Sequence, residues 1–486
     1  MLPKTLPTIT LERSVFSPAF WAVLLFLSGL FFLDLPFHGD HVQRQAVTAT
    51  IARNFYELGL NPMYPTMNIC GETSPNYFAT EFPFLQILMT FGYYIFGEEY
   101  WIGRLINWAV YCLGLWFFAG LCDKLMKRPV GLFSMLFMVG SIATMFGRKI
   151  MPDTFSVALV TIGVYFLYDY LQRGRHWWLI LGGVLVALGV LSKIPSVVVI
   201  CLLSVPVLTR EISWRRKVNV FVVLGIGGLL SAGWYFAWMP HLQALTRCAP
   251  LIYPVSLAEG FRIFFFDALG DSLHRFHILA FCGPIPAYLF LAGVALAVYR
   301  REWKILAGTL AYALIFLLFI FKTGPVFSTH NYYVIPFIPL MALYAGKMLS
   351  QPWLPRWLAL VIVLGLAYQP LSYGYRDINL VPEIPALELD ALLTAAGVPK
   401  DELIMVHDVW MNPTNMYYAH RRGWFADGST LDHHNWMVSY RRLGLRFLVV
   451  DKSRYDKPLP YYIITDDEVF RLYDVTKTPE GDLVRD

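Results

Sequence analysis

The sequence predicts an α-helical polytopic membrane protein with about eleven transmembrane helices, amphipathic helices on the outer face in its first loop, and a small C-terminal α/β domain. Its 486 residues are 57% hydrophobic and only 15% charged, whereas soluble domains carry about 25% charged residues. Apolar runs of about twenty residues recur along most of the chain, and each is long enough to cross a bilayer as a helix. Beyond residue 376 the chain becomes more charged and contains short β-like runs.

The apolar runs predict these spans: 18–37, 100–121, 129–147, 154–171, 177–191, 195–209, 218–238, 277–298, 305–321, 333–349 and 357–373. Alternate loops between them each carry at least two Lys or Arg residues, which places those loops in the cytoplasm. The N-terminus is then cytoplasmic, and the C-terminal domain lies on the outer side of the cytoplasmic (inner) membrane. Ser192-Lys193-Ile194-Pro195 either separates two spans or kinks one, and the charge pattern favours two.

The first outer loop, residues 38–99, is too long to be a mere connector. It contains helix signals over 41–58 and an apolar segment over 82–97, both of which we expect to form helices along the outer surface. Asp40 and Glu81 each lie just before one of these segments. Ionisable groups at a membrane boundary are candidates for function.

The tail, residues 377–486, predicts a separate α/β domain, in contrast to the transmembrane domain of residues 1–376. Its β-like runs are Leu403–His407, Phe447–Val450, Tyr461–Ile464 and Phe470–Tyr473. Turn formers such as Asp427-Gly428-Ser429 separate them. About 100 residues with this pattern suffice for a small independent domain.

Several functional classes are excluded or left without support. The net charge of +5 is dispersed, so no basic cluster indicates nucleic acid. There is no P-loop, no GxGxxG followed by an acid, and no HExxH motif. The six cysteines include no CxxC; a disulfide between Cys70 and Cys248, both in outer loops, is left open.

The first apolar run is too long for a signal peptide, and we interpret it as a retained span.

For each candidate residue there is also a structural interpretation, in which the residue serves folding or membrane placement and not catalysis or binding. Asp40 and Asp153 could be helix N-caps, and Glu81 could be an ordinary interfacial carboxylate. Arg148-Lys149 could be topology charges, although they lie on the side where positive charge is disfavoured. The segment His330-Asn331-Tyr332-Tyr333 could belong to an aromatic belt at the membrane interface. Together, however, they place acids, cations and a histidine on one face of the membrane.

These motifs resemble those of the bacterial polyprenyl-phosphate-sugar glycosyltransferases of the C superfamily, relatives of the protein O-mannosyltransferases and of the lipid A aminoarabinose transferase. The resemblance covers about residues 15–350. It rests on Asp40, Ile51-Ala52-Arg53-Asn54, Glu81-Phe82-Pro83, Gly103-Arg104-Leu105, Met151-Pro152-Asp153 and His330-Asn331-Tyr332-Tyr333. Two features depart from the family pattern: His41 stands where many members have a second acid, and Phe82 where the aminoarabinose transferase has a lysine.

The resemblance implies an integral membrane glycosyltransferase, a hexosyl or pentosyl transferase. It would move a sugar from a polyprenyl-phosphate donor to a hydroxyl of a glycan, lipid or protein acceptor on the outer face, with inversion. Asp40 would be the general base, Asp153 a second, orienting acid, and Glu81 a sugar or acceptor ligand. The expected donor-binding residues are Arg44, Arg148, Lys149, Arg247, Arg262, Lys322, His330, Tyr332 and Tyr333.

The sequence indicates no particular cofactor, and a divalent metal ion is left open. Two other functions are kept: a transporter or flippase of lipid-linked sugars, and a non-catalytic membrane scaffold that presents the tail domain. A transporter would usually show polar or Gly/Pro breaks within its spans. Here the polar groups gather instead in one set of loops.

Overall fold

The computed structural model describes residues 15–69, 71, 76–127, 129–246, 254–380, 384–407 and 413–484. Three residues of the sequence analysis lie outside the described ones: Cys70, Arg247 and Cys248. The predicted disulfide between Cys70 and Cys248 therefore also concerns residues outside the described part of the chain. The chain divides into two compact units. The first comprises Met1–Leu33, Trp101–Trp234 and Tyr253–Asp377, and the second comprises Asp34–Tyr100, Tyr235–Ile252 and Ile378–Asp486.

The described part of the first unit is helical. Its α-helices are Pro18–Gly29, Tyr100–Met126, Gly131–Val139, Ile142–Gly147, Pro152–Arg173, His176–Ser192, Ser204–Val207, Trp214–Ala232, Leu257–Arg262, Leu269–His277, Ile285–Tyr299, Trp303–Thr323, Pro325–Thr329, Ile338–Leu349 and Arg356–Ile378. Shorter 3₁₀ segments are Leu30–Phe32, Ile194–Leu203, Leu279–Phe281 and Asn331–Phe337, and π-helical segments are Gly233–Trp238 and Ile263–Asp267.

The multi-pass helical fold is confirmed, whereas the number of spans stays a prediction. Within the described residues, six helices are long and apolar enough to cross a membrane, and a bent pair adds a seventh if it is one span. Shorter apolar helices are Pro18–Phe32, Phe84–Phe96, His176–Ser192 and Ile194–Val207. The crossing of the membrane by these shorter helices therefore stays a prediction.

Two predicted spans have a different local structure, and the predicted break at Ser192–Pro195 is present. Residues 129–147 form two short helices, because the chain breaks at Gly140 and the Ser141 hydroxyl accepts a hydrogen bond from Ala143 N at the start of the second. The predicted span 277–298 is bent by 99° between Leu269–Phe281 and Ile285–Tyr299. At the Ser192–Pro195 segment, the backbone of Lys193 is extended and separates the two helices.

Small residues let helices of the first unit approach closely, as in membrane helix packing generally. A Cβ atom added at Gly163 would lie 2.7 Å from the carbonyl oxygen of Gly182 on the neighbouring helix. Around this contact the core is aliphatic and aromatic, with Val160, Leu167 and Val186 buried. The result is a tightly packed scaffold for the polar residues at the helix ends.

The second unit combines the first loop with the C-terminal tail. Its helices are Val42–Leu58, Phe84–Phe96, Met239–Leu245, Ile384–Leu387, Leu389–Ala395, Thr414–Ala419, Gly428–Asp432 and His434–Arg442. The first two confirm the helices predicted over 41–58 and 82–97. We refer to Val42–Leu58 as the first-loop helix. The boundary predicted between residues 376 and 377 stays a prediction.

The tail contains a five-stranded mixed sheet. Its strands are β1 (Leu403–His407), β2 (Arg422–Ala426), β3 (Phe447–Asp451), β4 (Tyr462–Asp466) and β5 (Phe470–Asp474). The spatial order is β2-β1-β3-β5-β4; β1 pairs in parallel with β2 and β3, and β5 pairs antiparallel with β3 and β4. The small C-terminal α/β domain is thus confirmed. The sequence analysis missed β2 because its Arg-Gly-Trp-Phe-Ala sequence lacks a clear apolar alternation.

Candidate active site

Asp40 lies in the turn that precedes the first-loop helix, and its side chain is half-buried. Gly39 has a positive φ of 66°, and His41 is left-handed at φ 61°. The N-cap residue of the helix is His41, one position after Asp40. The structure therefore does not place Asp40 at the N-cap position that the structural interpretation required.

Arg44 and Glu81 form an ion pair within the second unit, between the first-loop helix and the segment before Phe84–Phe96. Arg44 is 8% exposed and Glu81 is 3% exposed. Thr80 Oγ1 donates a hydrogen bond to the other carboxylate oxygen of Glu81 at 2.8 Å. Both oxygens of Glu81 consequently have protein partners, so the carboxylate orients Arg44 and is poorly suited to accept a proton.

Asp153 lies in the first turn of the helix Pro152–Arg173, whose N-cap residue is Met151. It is 3% exposed. Its Oδ1 atom is 3.6 Å from Lys193 Nζ, which is beyond ordinary hydrogen-bond length. Within the described residues, its Oδ2 atom is buried without a hydrogen-bond partner. A buried carboxylate oxygen of this kind is costly unless a ligand donates to it.

Lys193 is a charged residue that the sequence analysis did not assign to the site. Its ammonium lies 5.9 Å from the centroid of the Tyr332 ring. The extended backbone at Lys193, between the helices ending at Ser192 and beginning at Ile194, turns the chain there. The signal in the sequence is a lysine directly before Ile-Pro within an otherwise apolar run.

His330, Tyr332 and Tyr333 form an aromatic cluster. The ring centroids of His330 and Tyr332 are 5.6 Å apart, and those of Tyr332 and Tyr333 are 4.7 Å apart. Burial lowers the pKa of His330, and the nearby positive charges of Arg275 and Lys193 lower it further. The imidazole is therefore neutral near pH 7.

Arg275 is a second cation that the sequence analysis missed. Its guanidinium donates to the carbonyl of Ser328, two residues before His330. Its Nε atom is buried and has no hydrogen-bond partner within the described residues. No motif marks Arg275 in the sequence, because its proximity to the His330 segment arises only through the packing of Leu269–His277 against Pro325–Thr329.

Lys149 is neutralised within the first unit. Its Nζ lies 2.9 Å from Asp377 Oδ2, and the side chains are 1% and 3% exposed. The side-chain amide of Asn107 donates to the carbonyl of Lys149 at 2.7 Å and to that of Met151 at 3.1 Å. This loop is thus held in place from the helix Tyr100–Met126, and Lys149 serves that structure rather than presenting a free cation.

The other predicted cations are more peripheral. Arg148 stacks over the Phe32 ring, with the guanidinium carbon 5.0 Å from the ring centroid. Arg262 is exposed and 3.5 Å from Asp267. Lys322 is exposed and donates to the carbonyl of Val255 at 2.7 Å. Arg262 and Lys322 are thus more exposed than Lys193, whereas Arg148 is half-buried, as Lys193 is.

The predicted residues are divided between the two units. Asp40, Arg44 and Glu81 belong to the second unit, and the remaining described ones belong to the first. Within the first unit the structure brings Asp153 together with Lys193, Tyr332 and His330. Among the described residues, no group of three or more His, Cys, Asp or Glu side chains is arranged to hold a metal ion.

Comparison with known proteins supports the resemblance. A family model described as dolichyl-phosphate-mannose-protein mannosyltransferase matches residues 80–236. No curated protein sequence matches the chain.

Solved structures match nearly the whole chain. ArnT from Cupriavidus metallidurans, solved bound to undecaprenyl phosphate, is 15% identical with a TM-score of 0.59, and the match covers 93% of this chain and 97% of ArnT. The apo form of ArnT gives a TM-score of 0.60 at 14% identity with the same coverage. The oligosaccharyltransferase of Archaeoglobus fulgidus, in complex with zinc and sulfate, is 12% identical with a TM-score of 0.59 over 88% of this chain and 67% of that protein. The chain therefore has the fold of ArnT and of this oligosaccharyltransferase.

Proposed function

We propose that this chain is an integral membrane glycosyltransferase, which moves a hexosyl or pentosyl group from a polyprenyl-phosphate donor to an acceptor hydroxyl. The single observation that carries the proposal is the buried, unsatisfied Oδ2 atom of Asp153, set beside Lys193. Such a site offers a hydrogen-bond acceptor to a sugar hydroxyl and a cation to a phosphate. The fold and the match to the mannosyltransferase family model support the same reaction class.

Asp40 is the general base of the proposed reaction. A carboxylate must take the proton of the acceptor hydroxyl as its oxygen attacks the anomeric carbon. Of the predicted acids, Glu81 is already paired with Arg44 and Thr80, and Asp153 is nearly fully buried. Asp40 is half-buried and is not the N-cap of its helix.

The departing polyprenyl phosphate needs positive charge, since negative charge develops on its oxygen as the glycosidic bond breaks. Lys193 and Arg275 are the best placed cations of the first unit. Arg275 has a buried N–H group without a partner among the described residues. His330, whose Nδ1–H faces the carbonyl of Val326 at 3.2 Å, is neutral and adds no fixed charge beside these two cations. Tyr332 and Tyr333 supply flat surfaces for the sugar.

The stereochemical outcome is inversion, because one carboxylate acts as base while the acceptor attacks opposite the phosphate. The donor carries a long apolar chain, which explains why the catalyst is embedded in a membrane. We place the reaction on the outer face of the inner membrane, with a glycan, lipid or protein as acceptor. Arg44, oriented by Glu81, contributes to binding of the donor or the acceptor.

Turnover by the full-length protein tests the proposal. Purified protein in detergent is given a synthetic polyprenyl-phosphate sugar and a set of acceptors, and release of free polyprenyl phosphate is measured. A glycosyltransferase releases it, and the anomeric configuration of the product reports inversion. A flippase moves the intact donor across vesicles without release, and a scaffold does neither; either result would refute the proposal.

Thiol labelling in intact cells tests the proposed orientation. Single cysteines are introduced at Ser213 and Ser429, both of which are exposed, after removal of the native cysteines. An impermeant reagent should label Ser429→Cys and not Ser213→Cys. Equal labelling of the two sites would overturn the assignment of the outer face.

A further inference from the structure

The C-terminal tail contacts the first-loop helix at several points within the second unit. Arg53 of that helix makes a bidentate ion pair with Glu98, with its Nε atom 2.8 and 2.9 Å from the two carboxylate oxygens. Its Nη1 atom donates to the carbonyl of Tyr417 at 2.7 Å. The guanidinium also stacks on the Tyr417 ring, 3.7 Å from the centroid.

Tyr417 contacts both members of the Arg53–Glu98 ion pair. Its hydroxyl donates to Glu98 Oε1 at 2.6 Å, so that Arg53, Glu98 and Tyr417 form a closed three-residue unit. Arg53 is 6% exposed and Tyr417 is 4% exposed. In the folded chain, burial raises the pKa of the Tyr417 hydroxyl, which therefore stays a donor at all physiological pH values. Buried charge-assisted networks of this kind fix geometry when every member is satisfied.

The turn that carries Asp40 is held by the same tail. The amide N–H of Gly39, one residue before Asp40, donates to the carbonyl of Leu380 at 2.8 Å. The Phe37 ring, fully buried, lies 4.7 Å from the ring of Tyr417 and 5.8 Å from that of Tyr418. Both ends of the segment from Phe37 to Arg53 are therefore fixed to tail residues.

The edge of the tail sheet also binds the first loop. Gly71 N donates to the carbonyl of Gly423 in β2 at 2.8 Å, and Gly423 N donates to the carbonyl of Asn68 at 3.0 Å. The side-chain amide of Asn54, next to Arg53 on the first-loop helix, donates to Asn68 Oδ1 at 2.9 Å. Backbone pairing at a sheet edge gives a rigid connection.

We propose that the C-terminal tail is a positioning element, in which Arg53 and Tyr417 hold the first-loop helix so that Asp40 and Arg44 are placed for the transfer reaction. This inference rests on the proposed function. Arg53 is nine residues beyond Arg44, about 13.5 Å along the helix at 1.5 Å per residue. A small rotation at Arg53 thus moves the Asp40 turn, and a displacement of about 1 Å at a catalytic group can cost roughly a hundredfold in rate.

Two conservative variants of the full-length protein test the proposal. Tyr417→Phe keeps the ring under Arg53 and removes only the hydroxyl bond to Glu98. Arg53→Lys keeps the charge and removes the guanidinium fork. The control is Arg446→Gln, which removes a partly exposed ion pair with Glu402 in the same tail, at 3.0 Å.

The expected result is a fall in kcat of roughly tenfold to a hundredfold for Arg53→Lys, per folded molecule and at saturating donor. Tyr417→Phe should show a smaller fall, and Arg446→Gln none. The double variant should be no worse than Arg53→Lys alone, because the two residues act as one unit. A purely structural role would lower the amount of folded protein and its unfolding midpoint but leave kcat per folded molecule unchanged.

Hydrogen exchange separates failure of this inference from failure of the proposed function. In Arg53→Lys, amides over residues 38–46 should exchange faster, while those of β1 and β3 keep their protection. If wild-type protein releases no polyprenyl phosphate, the proposed function fails, and exchange still tests the positioning role. Unchanged exchange over 38–46, or an active wild type with full kcat in Arg53→Lys, would overturn the inference.

Discussion

Glu81 and Asp153 are two carboxylates with the same burial and opposite surroundings. Each is 3% exposed. Glu81, in the second unit, has an arginine on one oxygen and a threonine hydroxyl on the other. Asp153, in the first unit, has a lysine at 3.6 Å and an Oδ2 atom without a partner in the described part of the chain. The comparison teaches that burial alone does not mark a ligand site; unused hydrogen-bonding capacity does.

The largest effect on the reaction rate is expected from substitution of Asp40. Because Glu81 is paired and Asp153 is nearly fully buried, Asp40 is the acid that we propose as the base. Asp40→Asn keeps the size of the side chain and removes its ability to take a proton. The chemical step should slow by roughly two to four orders of magnitude with donor affinity unchanged. Asp34→Asn, at an exposed acid of the same unit, is the matched control. Near-normal turnover of Asp40→Asn would show that Asp40 is not the base. The role would then pass to Asp153 or Glu81, against our interpretation of these two carboxylates.

Glu81→Gln should act mainly on stability. The substitution preserves shape but leaves the buried Arg44 guanidinium without the carboxylate that faces it. Breaking a buried ion pair in this way typically costs about 3–5 kcal/mol. The measurement is the midpoint of thermal unfolding of the purified protein, beside that of Glu99→Gln, an exposed neighbour expected to change stability by no more than about 0.5 kcal/mol. Equal midpoints for the two variants would show that Glu81 is not structurally paired.

Asp153→Asn should give the reverse pattern. The lysine at 3.6 Å is too far for a strong hydrogen bond, so we expect the free energy of unfolding to change by less than about 1 kcal/mol. Donor use, measured as kcat/KM per folded molecule, should fall by roughly tenfold to a hundredfold, the worth of one hydrogen bond to a charged group. The control is Asp169→Asn, on the same helix as Asp153. It loses its ion pair with Lys124 and should keep the wild-type kcat/KM. If Asp153→Asn lost as much stability as Glu81→Gln, Asp153 would be a structural carboxylate like Glu81 and not a ligand site.

The sequence allowed the fold to be predicted well, because it is encoded locally. Runs of apolar residues mark the helices, and the β-like runs mark four of the five strands. The prediction failed where one residue redirects the chain, as at Gly140 and at Cys282, whose φ is 50°. In membrane helices such breaks are compatible with an apolar sequence, so composition does not reveal them.

The site was only partly predictable, because its pairings join residues far apart in the chain. Lys149 was expected to face a phosphate, and its partner Asp377 lies 228 residues away. Arg275 and Lys193 were not assigned to the site, since neither lies in a recognisable motif. Candidate acids were easier to select from the sequence than candidate cations, because acids at membrane boundaries are rare, whereas basic residues also set topology.

The smallest effect is expected from His330, and it concerns pH. Burial lowers the pKa of His330 below its ordinary value of 6.5, so the folded protein holds the neutral form. Below pH 6.5 the unfolded chain binds a proton at this residue that the folded protein does not. Stability should therefore rise with pH up to about 6.5 and then level off, as far as this residue is concerned. His330→Gln should flatten that part of the profile, whereas His176→Gln, at an exposed histidine of the same unit, should not. The check is the unfolding midpoint of each variant between about pH 5 and 8, the range over which histidines titrate. If His330→Gln keeps the wild-type slope, then His330 is not a half-buried neutral imidazole beside Lys193 and Arg275, and the charge that we propose for the donor site in the first unit is wrong.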